Sequence, residues 1–411
     1  MSDSNAAVTG EGSRKPVLYL VHRLPFPPNK GDKIRSYHLL QYLCRHYDVH
    51  LGCFADDPAD LQYAADLESI CSSVYIESLN PRTARVSSLR GILTGEPLSL
   101  PYYRSRRMQN WVDETLQRES IESCIAFSSP MAQYLLGPAY DNLRRVMDFV
   151  DVDSDKWKRY ASQRSGPVKW LYAREGQKLE EFECRVASIF DASVFVSDNE
   201  VSMFSGISPE TSDSHFAISN GVDTEYFEPA EDFSSPYEDG PDKLVFTGMM
   251  DYLPNVDAVK WFADEVFPGL RESRPDCEFW IVGGSPVADV LALDNRAGVH
   301  VTGRVEDIRP YIRHADVVVA PLRIARGVQN KVLEALAMGK KVVCSPHAAA
   351  GLHQLESMPL SVSTSPEEFA EAVSAILDEN DPSPAGASRD YVMSHYNWDR
   401  NLEKFGQLLR G

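Results

Sequence analysis

The chain alternates short apolar runs with segments of helical period, and it does so twice along its length. PVLYLV (16–21) is an apolar run, KIRSYHLLQYLCRH (33–46) carries apolar residues at helical spacing, and VHLGCF (49–54) returns to a strand-like run. Strand, helix, strand is the opening of a parallel α/β sheet. Further strands are predicted at 74–78, 122–127, 144–149, 192–196 and 215–218, with one long helix over 168–190. After EPAEDFSSPYEDGPDK (228–243), an acidic stretch rich in Pro, Ser and Gly and without apolar period, the alternation restarts with KLVFTG, EFWIVGG, VHVTG, DVVVAP and KKVVCS. Two α/β units of Rossmann type, each with a parallel sheet, follow from this order. The expected organisation is a loose tail over 1–15, a first domain over 16–227, a linker over 228–243 and a second domain over 244–395. The amphipathic segment 396–411 either closes the second domain or packs back on the first.

With 411 residues the chain exceeds one ordinary core, in keeping with two domains. Seven scattered cysteines, none in a CxxC pair, predict reduced thiols in a cytoplasmic setting and no zinc site. The first fifteen residues lack the apolar region of a secretory signal, and no run is long enough for a spanning helix. A formal net charge of −19 opposes general binding to nucleic acid. Two stretches run against that charge. From Arg82 to Arg107 there are six basic residues and one acid, and from Lys156 to Lys178 seven and one. They are either two solvated helix faces or, with Tyr102, Tyr103, Trp111, Trp157 and Trp170 in or beside them, a basic patch that makes peripheral, salt-sensitive contact with anionic membrane.

The residues that carry chemistry concentrate in PLRIARGVQNKVLEALAMGKKVV (321–343). A strand ends at Pro321, a loop with Gly327 follows, and a helix begins. Backbone N–H groups at a helix start suit a phosphate, and Lys331 adds a full positive charge there. Glu334 lies one turn on along nearly the same face. A cation for a diphosphate beside a carboxylate for ribose hydroxyls is what a nucleotide-sugar site requires.

This stretch resembles the donor-binding motif of family 4 glycosyltransferases, which are retaining enzymes of the GT-B fold. There, two glutamates separated by seven residues precede an EALA-type run and Gly-x-x-Val-Val. Glu334 matches the second glutamate, whereas Arg326 stands at the first. ISNGVDTEYFEP (218–229) is similar to the segment before the interdomain linker, and VFTGMMDYLPNVDAV (245–259), with Gly248, to the first strand and loop of the donor domain. Met249 and Asn255 stand where the family often has Arg and Lys, and Arg304, Arg323, Arg326 and Lys331 are the candidate replacements. VTGRVEDIRPYI (301–312) resembles the segment that cradles the nucleotide base, through Arg304 and Val305. The opening VHRLPFPPNKGDKIRSYHLL (21–40) and MDFVDVDSDKW (147–157) resemble the sugar transferases that accompany bacterial PEP-CTERM/exosortase exopolysaccharide systems. The resemblance implies transfer from a nucleotide-diphosphate sugar to a saccharide or lipid-linked acceptor, with retention and without a metal or other cofactor.

On the acceptor side, Gly31 holds the position of a glycine loop between strand and helix. Asp148, Asp151 and Asp153 follow a strand, where ligands of α/β folds gather. Asp151 is the candidate to orient or deprotonate the acceptor hydroxyl, with Asp148 beside it, while capping of the next helix by Asp153 or Ser154 accounts for part of the cluster. Asp151-Val-Asp153 is a literal DxD, read as accidental beside the GT-B signals. His22, His38, His215 and His314 have no metal-ligand spacing. Rival readings are a GT-B-fold sugar-nucleotide epimerase and a binding protein without turnover.

Overall fold

The computed structural model describes residues 14–28, 31–229, 232–325, 327–352, 360–379 and 384–411. Two compact units divide the chain, one running up to Ile218 and completed by Leu402–Gly411, the other Ser219–Asn401.

The first unit is built on a parallel sheet of seven strands: β1 (Lys15–Val21), β2 (Tyr47–Ala55), β3 (Ser73–Ser78), β4 (Ser123–Phe127), β5 (Arg144–Val150), β6 (Ala192–Phe195) and β7 (His215–Ala217). Their order is β3-β2-β1-β4-β5-β6-β7. β1 is a continuous apolar run because both faces are covered by helices, and Val17 to Val21 are wholly buried. β3, at the edge, has no buried residue. Direction of travel across the sheet reverses between β1 and β4, so their carboxyl ends frame the crevice where such sheets take ligands. Gly31 opens the helix Gly31–His46 that follows β1. That helix carries Arg35, fully buried against Asp148 of β5.

In the second unit a six-stranded parallel sheet has the order β10-β9-β8-β11-β12-β13. Its strands are β8 (Lys243–Thr247), β9 (Glu278–Val282), β10 (Val299–Gly303), β11 (Val317–Ala320), β12 (Val342–Cys344) and β13 (Leu360–Val362). The predicted linker 228–243 does not mark the division. Tyr237 within it is buried in the second core, and its hydroxyl donates to the Tyr311 carbonyl at 2.7 Å. The chain changes units earlier, after Ile218. Gly221 is required where it stands, since a Cβ there would lie 2.7 Å from the Trp398 ring and backbone nitrogen.

The last helix, Trp398–Arg410, buries Trp398, Leu402, Phe405 and Leu409, which recur at offsets of three and four residues as an amphipathic helix requires. From Leu402 onward it belongs to the first unit, where the Tyr47 hydroxyl donates to the Gly406 carbonyl and Arg144 Nε donates to that of Leu408 at 2.9 Å. All seven cysteines are free. They are less scattered in space than along the chain: Cys44 and Cys71 bring their sulfurs to 3.9 Å. Among the described residues no helix is long and apolar enough to cross a membrane.

Candidate active site

In the second unit the carboxyl ends of β8, β9 and β10 are closed by glycine. Gly248 (φ 152°) follows β8 and Gly283 (φ 152°) follows β9, and a Cβ on Gly283 would sit 1.8 Å from the Gly248 oxygen. Only glycine permits that approach of backbone to backbone. Gly248 N–H donates to Val282, Gly283 N–H to Gly303 and Met250 N–H to Gly284, at 3.0, 3.2 and 2.8 Å. The result is a low floor of main chain at the sheet edge.

Lys331 stands over this floor. It sits in the first turn of the helix Asn330–Ala337, whose Val332, Leu333, Leu336 and Ala337 are buried. Its Nζ donates to Asn255 Oδ1 at 2.6 Å, lies 4.0 Å from the centre of the Phe246 ring, and is 3.0 Å from where a Gly248 Cβ would be. Asn255 is itself fixed, because its Nδ2 donates to the Met249 carbonyl at 2.9 Å. Asn255 therefore positions the lysine rather than replacing it, a role its place in the sequence did not disclose. Glu334 is half-buried, and its carboxylate accepts no hydrogen bond from the described residues. Loss of hydration pulls Lys331 down to about 7 and pushes Glu334 up to about 7, while the attraction between them opposes both shifts. A cation and an acceptor carboxylate, one helical turn apart and short of partners, are ready for an anionic, hydroxyl-bearing ligand.

Gly327 precedes that helix with left-handed backbone (φ 58°), and its carbonyl accepts from Gln329 Nε2 at 3.3 Å. Arg326 lies outside the described residues. Arg304 is exposed just beyond Gly303 and makes no ion pair among the described residues; Val305 packs on the core. Arg323 is paired with Asp257, with Nε to Oδ2 at 2.9 Å, and its side chain stays half exposed.

In the first unit the carboxyl ends of β1, β4 and β5 bring together His22, Ser129, Asp151 and Asp153. Asp148 is not among them. It is wholly buried and takes Arg35 Nε and Nη2 at 2.9 and 3.1 Å, so it offers no surface to an acceptor and serves the core. Just beyond it, Val150 adopts φ 70°, a strained conformation for a β-branched residue. Asp151 N–H turns back to the Phe149 carbonyl at 2.9 Å, and Val152 N–H donates to the buried Glu200 at 2.7 Å. The strained turn thus presents Asp151 on a pinned loop.

Asp153 does not cap the helix Asp153–Ser162, and neither does Ser154. The N-cap is Val152, without a side-chain bond. Burial raises the Asp153 carboxyl although it keeps 31% of its side-chain surface. Beneath it, Glu183 from the helix Gly166–Ile189 is fully buried. Its Oε1 accepts from Ser129 Oγ at 3.3 Å, and Ser154, at the head of the neighbouring helix, lies within reach of the same carboxyl. Burial, and then Asp153, push Glu183 up to about 8, which favours its neutral form. Glu183 was not foreseen, because a glutamate in LEEFE reads as the wet face of a helix. His22 stacks on Phe127 and meets the edge of Tyr103 at 5.8 Å. Among the described residues no three His, Cys, Asp or Glu side chains form a metal-binding group.

Two all-parallel Rossmann-like units in one chain constitute the GT-B fold. Residues 241–379, which lie in the second unit, match the family described as Glycosyl transferases group 1. The whole chain is similar in fold to three solved proteins at low identity. Sucrose-phosphate synthase (tll1590) from Thermosynechococcus elongatus superposes with a TM-score of 0.65 at 15% identity, over 97% of this chain and 98% of that one. Anabaena Alr3699/HepE in complex with UDP and glucose gives 0.64 at 14%, over 97% and 100%. WaaG, a glycosyltransferase involved in lipopolysaccharide biosynthesis, gives 0.62 at 16%, over 96% and 100%. No curated protein sequence matches the chain.

Proposed function

We propose that the protein is a glycosyltransferase that moves a sugar, with retention, from a nucleotide-diphosphate sugar to a lipid-linked or saccharide acceptor in exopolysaccharide or cell-surface glycan synthesis. The observation that carries this reading is the Lys331 ammonium, held by Asn255 over a glycine floor and followed one turn later by Glu334. The group 1 match over the same residues supports it. Lys331 and the backbone about Gly327 take up the charge of the departing diphosphate. Glu334 accepts from the ribose, and Arg304 and Val305 flank the base. On the first unit Asp151 or Asp153 orients the acceptor hydroxyl and receives its proton. No metal takes part, and the protein works at the cytoplasmic face of the membrane.

UDP is the first ligand to test, since Alr3699/HepE was solved with it. At about a hundred times its dissociation constant, UDP should add about 2.7 kcal/mol of stability to the unit that binds it. Thermal-shift measurements across UDP, ADP, GDP and their sugars read this directly. A panel without any shift would remove the donor site. Once an acceptor is found, turnover is expected to survive EDTA, and loss restored by manganese would make the DxD the true site.

A further inference from the structure

We propose that a cavity of about 320 Å³ in the first unit binds the hydrocarbon chain of a lipid-linked anionic acceptor. This rests on the glycosyltransferase reading and names the class of its acceptor. The cavity wall is formed by Leu98, Tyr102, Tyr103, Trp157, Leu171 and Tyr172. Its size is that of a small-molecule site, and its surface is mostly carbon. Glu175 also reaches the wall, but its carboxylate is committed to the start of the helix Ser99–Tyr102, accepting from Leu98 and Ser99 N–H at 2.8 and 3.3 Å. No charge is left there to hold a polar ligand.

The two basic stretches, far apart in sequence, are one surface around this cavity. Arg174 Nη2 donates to the Gly91 and Glu96 carbonyls at 2.6 and 3.1 Å, fastening the helix Gly166–Ile189 to the helix Arg90–Thr94. Arg82, Arg85, Arg90, Arg164 and Lys169 are exposed and make no ion pair among the described residues. In the same segments Leu93, Val86 and Trp170 are 89, 70 and 58% exposed. Exposed apolar groups set among unpaired cations, in a chain of net charge −19, fit an anionic membrane surface. A protein partner would need a broad apolar face, whereas here an apolar cavity is lined from the same two segments that carry the exposed cations. Trp111 and Tyr103 take no part in the outer surface: Trp111 stacks on Tyr75, and Tyr103 is 9% exposed. Tyr103 instead links the cavity to the acceptor-side cluster, through its edge contact with His22. Trp157 lies one turn into the helix that begins at Asp153. A chain seated here would hold its phosphate-linked sugar beside Asp151 and Asp153.

The probe is dodecyl phosphate brominated in its chain, used below its micelle concentration and read by quenching of Trp157, with Trp157→Phe assigning the signal. Saturable quenching is expected, tightening with chain length. It should weaken at least tenfold in Ser88→Phe, which fills the cavity, and in Leu171→Asp, which makes its wall polar. UDP thermal shifts should be unchanged in both. Indifference to chain length, equal competition by inorganic phosphate, or unaltered binding in both folded variants would overturn the proposal. Equal competition by phosphatidylglycerol vesicles would make the cavity a general membrane anchor and overturn its assignment to the acceptor. If the alkyl phosphate binds as expected and UDP does not, the transferase reading falls and the lipid site stands. The reverse result removes the cavity alone.

Discussion

Replacing Arg35 by Met should cost the first unit about 3–5 kcal/mol, since it leaves the Asp148 carboxylate buried without its counter-charge. Arg35 has no exposed side-chain surface. Its Nε and Nη2 take both oxygens of Asp148, its Nη1 donates to the Ile218 carbonyl at 2.8 Å, and its guanidinium lies 5.8 Å from the Phe405 ring. One side chain therefore joins the first helix, β5, the end of the chain's passage through this unit, and the returning helix. For a unit of this size the loss is a drop in melting temperature of about 6–20 °C. The double variant Arg35→Met/Asp148→Leu should recover most of it, because neither charge is then buried alone. Calorimetry of the first unit's transition decides. A single variant within about 1 kcal/mol of wild type would mean that water reaches Asp148.

The consequence extends to the acceptor loop. Asp148 Oδ1 also accepts from Val150 N–H at 3.2 Å, and Val150 holds the left-handed turn that presents Asp151. A strained residue of this kind persists only where its surroundings over-determine it, and it costs about 1–3 kcal/mol. Asp148 thus acts on the acceptor side through the loop it anchors, not by touching the acceptor.

That distinction was out of reach of the sequence, and the reason is geometric. Asp148, Asp151 and Asp153 look equivalent as letters after a strand, yet the pleat turns Asp148 into the core, and its partner lies 113 residues away. Glu183 was hidden by the same kind of ambiguity: the helical period places it on the buried face only once the neighbours of Gly166–Ile189 are known. Tyr237 shows the converse, a buried anchor inside a segment whose Pro, Ser and acids read as linker. The strands of both sheets were legible because interior parallel strands are unbroken apolar runs, as in β1 and β11. Lys331 and Glu334 were legible because their spacing and their place after a strand and a glycine are local. Their holder Asn255 reaches Lys331 from 76 residues away, beyond any local pattern.

Lys331→Ala should lower kcat/KM by about 1.5–3 kcal/mol, roughly tenfold to a hundredfold, through loss of a charge-assisted contact to the diphosphate. Glu334→Gln should weaken donor binding without unfolding the protein. The stability effects carry the opposite sign. In the folded protein Lys331 titrates near 7 and in the unfolded chain near its ordinary value, so the unfolded state binds more protons above pH 7, and the penalty of burying this ammonium fades as pH rises through that window. Glu334 is raised to about 7, so its penalty is absent in acid and grows as pH rises from its ordinary value to 7. The pair is therefore most costly to the ligand-free protein near neutrality. Lys331→Met/Glu334→Gln should melt higher than wild type at pH 7, by about 2–4 °C for each kcal/mol regained, while its response to UDP disappears. In the wild type a bound diphosphate should hold the proton on Lys331. UDP binding above pH 7 is then accompanied by proton uptake and weakens toward pH 9, and calorimetry in buffers of different ionisation enthalpy measures that uptake. A Lys331→Met variant that keeps the same uptake and the same affinity would show that the ammonium over Gly248 faces no phosphate.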